Sequence, residues 1–128
     1  IRALAEVAGR AVGQLGARDF GFAVAPRLNA AGRIDDMSIG IRCLLADDPG
    51  EARALAARLD RINVERREIE ERMRGEAVEL VRRLRLEEGS LPPGLALFDP
   101  DWHPGIVGLV ASRIKERVHR PVVAFAPA

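Results

Sequence analysis

From Pro49 to about Leu86 the chain carries one uninterrupted helical pattern, and that run limits what the residues on either side of it can build. Asp48-Pro49-Gly50-Glu51 reads as its start. Asp48 can cap the free N–H groups, Pro49 suits the first helical position, and Glu51 stands where a capping box puts its carboxylate. Gly89, followed by Pro92-Pro93-Gly94, ends it. Leu55, Leu59, Ile62, Ile69, Met73, Leu80 and Leu84 recur at helical spacings and form one narrow apolar stripe. The remaining face is Arg and Glu, with Glu68/Arg72, Glu70/Arg74 and Glu79/Arg83 four apart in the favourable order. Such a helix would be about 57 Å long, more than a small domain can bury along its whole length. The pattern predicts a spacer rather than a core element.

A chain of 128 residues, 48% hydrophobic, can form one ordinary domain with a packed core. With about a third of it in the helix, each flank is too small to be complete. The absence of an initial Met, and a last residue just beyond an apolar run, predict a piece of something larger. Twenty basic against nineteen acidic residues leave a formal charge of +1, so there is no broad basic footprint of a non-specific nucleic-acid binder. Any such contact must come from a few placed residues. The lone Cys43 cannot form an internal disulfide, which predicts a reducing, cytoplasmic setting. No signal peptide and no long uncharged apolar run are present, so neither secretion nor a membrane span is expected.

Ile1 to Ala8 is a short amphipathic pattern ending at Gly9, and a second apolar stretch from Ala17 through Val24 is expected to halt at Pro26. The segment 25–33 is different in kind, with two arginines, an asparagine and a glycine among small residues and no helical or strand period. Arg27 and Arg33 offer planar forks of donors that suit phosphate oxygens, while Asn29 and Gly32 suit a tight turn whose backbone can approach a ligand. A surface turn with solvated arginines satisfies the same spacing. Asp35-Asp36 could bind a metal, although paired acids ahead of a helix more often cap it. Ser38 to Ala46 follows as a short helix with Ile41, Leu44 and Leu45 apolar, and Cys43 reads as a small filler.

Beyond the long helix, Gly94 to Asp99 reads as a buried strand, Gly105 to Val118 as a helix, and Pro121 to Phe125 as a second strand. That order predicts a βαβ unit with a parallel sheet and a right-handed crossover. The fold class expected is therefore α/β and predominantly helical, a long connecting helix followed by a partial parallel βαβ unit. Ligands of such units sit at the carboxyl ends of the strands, where this chain places Asp99, Asp101, Trp102 and His103. Ile106, Leu109, Val110 and Ile114 form the helix face expected on the sheet. Gly105, Gly108 and Ser112 share a face bare of bulk, open either to a neighbouring backbone or to a phosphate at the positive helix end. His103 is placed to donate to an anion there. Trp102 reads as a core aromatic rather than a base-stacking platform, and His119 as a surface residue. The sequence holds no Walker loop, nucleophile elbow or Cys cluster, so the stretch by itself should not hydrolyse anything.

Ala-Pro-Arg-Leu-Asn-Ala-Ala-Gly-Arg-Ile-Asp-Asp at 25–36 resembles the segment that follows the catalytic DHH domain in the RecJ family of 5′-to-3′ single-strand exonucleases. Asp-Pro-Asp-Trp-His-Pro-Gly-Ile-Val-Gly-Leu-Val-Ala-Ser-Arg at 99–113 is similar to the opening motif of that family's DHH-associated domain. Both occur in the right order around a long helix. The resemblance implies a DHH-superfamily phosphoesterase that degrades single-stranded DNA with Mn²⁺ or Mg²⁺ in recombination and repair. It implies three parts: the end of the DHH domain at 1–48, the connecting helix at 49–88, and the start of the DHH-associated domain at 89–128. The family's metal ligands, including its Asp-His-His triplet, belong to the upstream domain and are not in this sequence. No residue here is implied to be catalytic. What carries over is substrate binding, by Arg27, Asn29, Gly32 and Arg33 in the first motif and His103, Gly105, Gly108, Ser112 and Arg113 in the second. These would grip the phosphates of one strand between the two domains. Single-stranded DNA, a RecQ-type helicase and a single-strand-binding protein are the implied partners. The rival expectations are a DHH phosphoesterase acting on oligoribonucleotides, cyclic dinucleotides or pyrophosphate, and a non-catalytic helical scaffold.

Overall fold

A computed structural model describes all 128 residues, Ile1–Ala128. Helices α1 (Arg2–Val7), α2 (Ala17–Asp19), α3 (Ala25–Ile34), α4 (Ser38–Leu45) and α5 (Pro49–Glu88) precede strand β1 (Leu95–Phe98), helix α6 (Val107–Val118) and strand β2 (Val122–Phe125). The chain forms two compact units, Ile1–Arg66 and Arg67–Ala128, and the boundary falls inside α5. The fold is the predominantly helical α/β class expected.

Helix α5 is 40 residues long and begins as its sequence predicts. The Glu51 N–H donates to Asp48 Oδ2 at 2.6 Å, and the Ala52 N–H to the Asp48 carbonyl at 3.0 Å. The Glu51 carboxylate does not turn back to complete a capping box; it takes the Arg42 guanidinium at 3.2 Å. Gly89, at φ +71°, ends the helix in the left-handed region that a side chain would disfavour.

The expectation of a mere spacer is corrected. In the first unit Leu55, Ala56, Leu59 and Ile62 of α5 close a core against Leu4, Ala30, Ala31, Ile39 and Cys43. In the second, Met73, Ala77 and Val81 are buried. The large residues alone traced a stripe too thin to hold a core. Ala56 and Ala77, both fully buried, widen it and let neighbours approach closely. Ile69, Leu80 and Leu84 are only half-buried. Of the three predicted ion pairs only Glu79–Arg83 forms, at 3.4 Å. Arg72 turns to Glu76, Arg74 to Glu71, and Glu70 to Arg113 of α6.

Segment 25–33 is not a turn but most of α3, and Pro26 does not halt the stretch before it. Residues Phe20–Val24 form one wide π-type turn in which the Ala25 N–H reaches back to the Phe20 carbonyl. The chain passes through its proline, which lacks an N–H, where the register is already shifted. Asp36 caps α4, accepting from the Ser38 N–H at 2.8 Å and from the Ser38 hydroxyl. Its carboxyl is held below the usual range first by those Ser38 bonds. In α4 it is Ile39, Gly40 and Cys43 that are buried, while Ile41, Leu44 and Leu45 face out. Burial pushes the Cys43 thiol up, which keeps it protonated.

In the second unit β1 and β2 pair in parallel, Leu95 with Val122 through Phe98 with Phe125. Helix α6 is the crossover, with Val110 and Ile114 buried, Ile106 buried just ahead of it and Leu109 half-buried. The expected buried strand is covered on one face only: Leu95 and Leu97 are buried, while Ala96 and Phe98 are exposed. His119 is exposed and closes α6 at φ 53°. No helix is long and apolar enough to cross a membrane.

Two stability predictions follow from α5. Leu59→Ala should destabilise the first unit by about 2–5 kcal/mol in urea unfolding, because the side chain is fully enclosed. Gly75→Ala should stabilise by about 0.5–1 kcal/mol, since no atom lies within 4 Å of the added methyl. The exposed Glu79 carboxyl is pulled down to about 2, first by hydrogen bonds from Arg82 and then by Arg83. Its folded value lies below the unfolded one. The support it gives is therefore full above the usual 4.5 and is lost as pH falls from there through about 2. Glu79→Gln should flatten the loss of helicity across that window, and salt should shrink the difference.

Candidate functional site

Two surfaces carry the residues singled out in the sequence, one in each compact unit. On α3, helical spacing divides the motif in two. Ala30 and Ala31 turn into the core, and Arg27 lies on that same side. Asn29, Gly32 and Arg33, three and four apart, share the exposed side.

Arg27 is therefore not presented as a clamp. Its Nε and Nη2 both reach Asp60 Oδ1 of α5 at 2.8 Å, and its Nη1 donates to the Ala23 carbonyl at 2.6 Å. With a side chain only 12% exposed, all three of its nitrogens are engaged inside the unit. Gly32 is exposed beside Met37, whose sulfur would stand at ordinary contact distance, 3.4 Å, from an added Cβ. At the far end of α3, Asp35 pairs with Arg58 of α5 at 3.6 Å. The sequence reading missed Asp60; the available signal was an acid set directly beside Leu59 on the helix's buried side.

The second surface is the loop at the carboxyl end of β1. Asp99 builds it, accepting from the Asp101 N–H at 2.9 Å on its carboxylate and from the Trp102 N–H at 3.2 Å on its carbonyl. The Trp102 indole is buried and its Nε1–H donates to Glu76 Oε2 of α5 at 2.9 Å, the core role expected for it. Ile106, fully buried, anchors the other side. Between these anchors His103 is half-exposed, and its Nδ1 accepts the Gly105 N–H at 3.0 Å. A ring nitrogen that accepts carries no proton, so neutral His103 has its hydrogen on Nε2, as a donor.

Helix α6 starts without a side-chain cap. The Ile106 carbonyl takes the N–H groups of Leu109 and Val110, which leaves those of Val107 and Gly108 at the positive end of the helix. Gly108 is exposed and has no atom within 4 Å of its missing Cβ. Ser112, one turn on, is exposed too. Arg113 is drawn to Glu70 at 3.8 Å and Glu116 at 3.5 Å. The loop thus brings His103, Gly105 and Gly108 together, with Ser112 one turn along and Arg113 held by acids. No group of three or more His, Cys, Asp or Glu is placed to hold a metal ion.

No protein-family model matches the chain. Among individual proteins, it is 58% identical over 128 residues to the single-stranded-DNA-specific exonuclease RecJ of Escherichia coli, covering all of this chain and 22% of that protein. RecJ of Thermus thermophilus is 41% identical over 127 residues, 98% of this chain and 17% of that protein. The crystal structure of RecJ in complex with Mn²⁺ from Thermus thermophilus superposes with a TM-score of 0.77 at 39% identity, covering 98% of this chain and 18% of that one. The Mg²⁺ complex from the same organism gives 0.76. Identity and fold agree along essentially the whole of these 128 residues, and the chain matches one stretch of RecJ, about a fifth of the length of the relatives.

Proposed function

We propose that this chain is part of a metal-dependent exonuclease acting 5′ to 3′ on single-stranded DNA in recombination and repair, and that its share of the work is to bind the strand. The observation that carries the reading is the loop at His103. An imidazole whose Nδ1 is occupied presents Nε2–H beside an uncapped helix start where Gly108 leaves the backbone bare. A phosphate oxygen is the ligand that such a set of neutral and backbone donors suits. Asn29, Gly32 and Arg33 on the exposed side of α3 are a second set of strand contacts in this reading, with Ser112 and Arg113 flanking the first. Arg27 serves them from inside the unit rather than touching DNA.

The residues present do not fit the Mn²⁺ or Mg²⁺ that crystallised relatives hold. In this reading the metal ions sit on a catalytic DHH domain outside these 128 residues, and no chemical step runs through this chain. Residues 1–48 would then close that domain, 49–88 connect it, and 89–128 begin the substrate-binding domain. The expected setting is cytoplasmic. A RecQ-type helicase and a single-strand-binding protein are the expected partners by family resemblance.

The test uses the full-length protein with the metal chelated, so that the strand stays intact. His103→Ala should weaken binding of a labelled single-stranded oligonucleotide about 10–150-fold, the worth of one hydrogen bond to a charged group. Gly108→Ala should weaken it as well while melting no lower than the parent, because the methyl has open space. Undiminished affinity in both variants would remove the phosphate site at α6.

A further inference from the structure

We infer that Asp60 is a positioning residue for strand binding, acting through Arg27 and α3; this rests on the proposed function above. The contacts on either side of α3 lead to it. Arg27 places two guanidinium donors on one Asp60 oxygen at 2.8 Å and a third on the Ala23 carbonyl, which joins the wide turn before α3 to α5. Eight residues further along, Asp35 meets Arg58, two residues from Asp60. Between these ties Ala30 and Ala31 are fully buried against the α5 residues Ala56 and Leu59.

Leu28 and Ile34, the larger apolar residues of α3, are only half-buried against this core, so beside the small alanines the two ion pairs help to set how α3 is turned about its own axis, and Arg27–Asp60 is the better enclosed of the two. Rotation matters because Asn29, Gly32 and Arg33 lie on the side of α3 opposite this contact. A turn of one residue's worth, about 100°, would carry them off the face they now present. Asp60 is thus a negative charge whose effect on DNA binding is favourable.

That sign separates the inference from plain electrostatics, under which removing an acid strengthens binding to a polyanion. The full-length protein is measured with metal chelated and a labelled oligothymidylate as probe. Asp60→Asn should bind about 3–10-fold more weakly, and Asp60→Glu should recover part of the loss. Asp60→Asn added to Arg33→Ala should weaken binding little beyond Arg33→Ala alone, since the group being positioned is gone. A role confined to stability would instead give losses that add. Binding by Asp60→Asn as tight as the parent's, or tighter, would overturn the inference, as would full additivity. If Arg33→Ala itself binds like the parent, the strand contact assigned to α3 is wrong, and Asp60 loses its role with it. Loss by Arg33→Ala without loss by Asp60→Asn leaves that contact standing and removes only Asp60.

Discussion

Each of the two compact units leans on the burial of α5 residues. A helix of 40 residues with ten charges of each sign would be marginal as an isolated rod, since most helical stability in proteins comes from packing an apolar face. Here Leu55, Ala56, Leu59 and Ile62 are covered by the helices before it, and Met73, Ala77 and Val81 are buried in the second unit. The single buried polar side chain, Asn63, lies next to the first set and accepts Arg66 at 3.1 Å, so no donor or acceptor is stranded there. Helix α5 thus contributes buried residues to each unit.

The same helix places the residues proposed to bind the strand. Trp102 is drawn down by its indole and by Glu76 of α5, and with Ile106 it holds His103 at the mouth of the β1–α6 loop. Arg27 is drawn in by Asp60 of α5, which commits the first arginine of the α3 motif to structure and leaves Asn29 and Arg33 to face outward. In each unit a half-exposed carboxylate on α5 holds an enclosed side chain, Arg27 in the first and Trp102 in the second. The orientation of these groups is a by-product of core packing within each unit.

Much of the architecture was legible because its signals are local. Asp48 and Pro49 mark a start, Gly89 marks a stop, and alternating apolar runs around a helix imply a parallel pair with a crossover. The motif at 25–33 was misread as a turn because its arginines and small residues lack a period of large apolar groups. Its helical periodicity is written in alanines, Ala30 and Ala31, which count for little on a hydrophobic scale but suit close approach. The bare outer face of the sheet was hidden for a related reason. A strand of apolar residues looks equally buried on both sides until its neighbours are known.

The sequence by itself pointed to the long helix, the order of strand, helix and strand after it, and the RecJ resemblance, because caps, periodicity and two motifs are properties of short stretches. It could not say which arginine is enclosed inside the protein and which lies exposed on α3. Arg27 and Arg33 are chemically identical and sit six residues apart. Only the fold, by bringing Asp60 across thirty-three residues to one of them, divides their roles. Long-range pairing of that kind depends on how the helices pack against one another, and no local pattern encodes it.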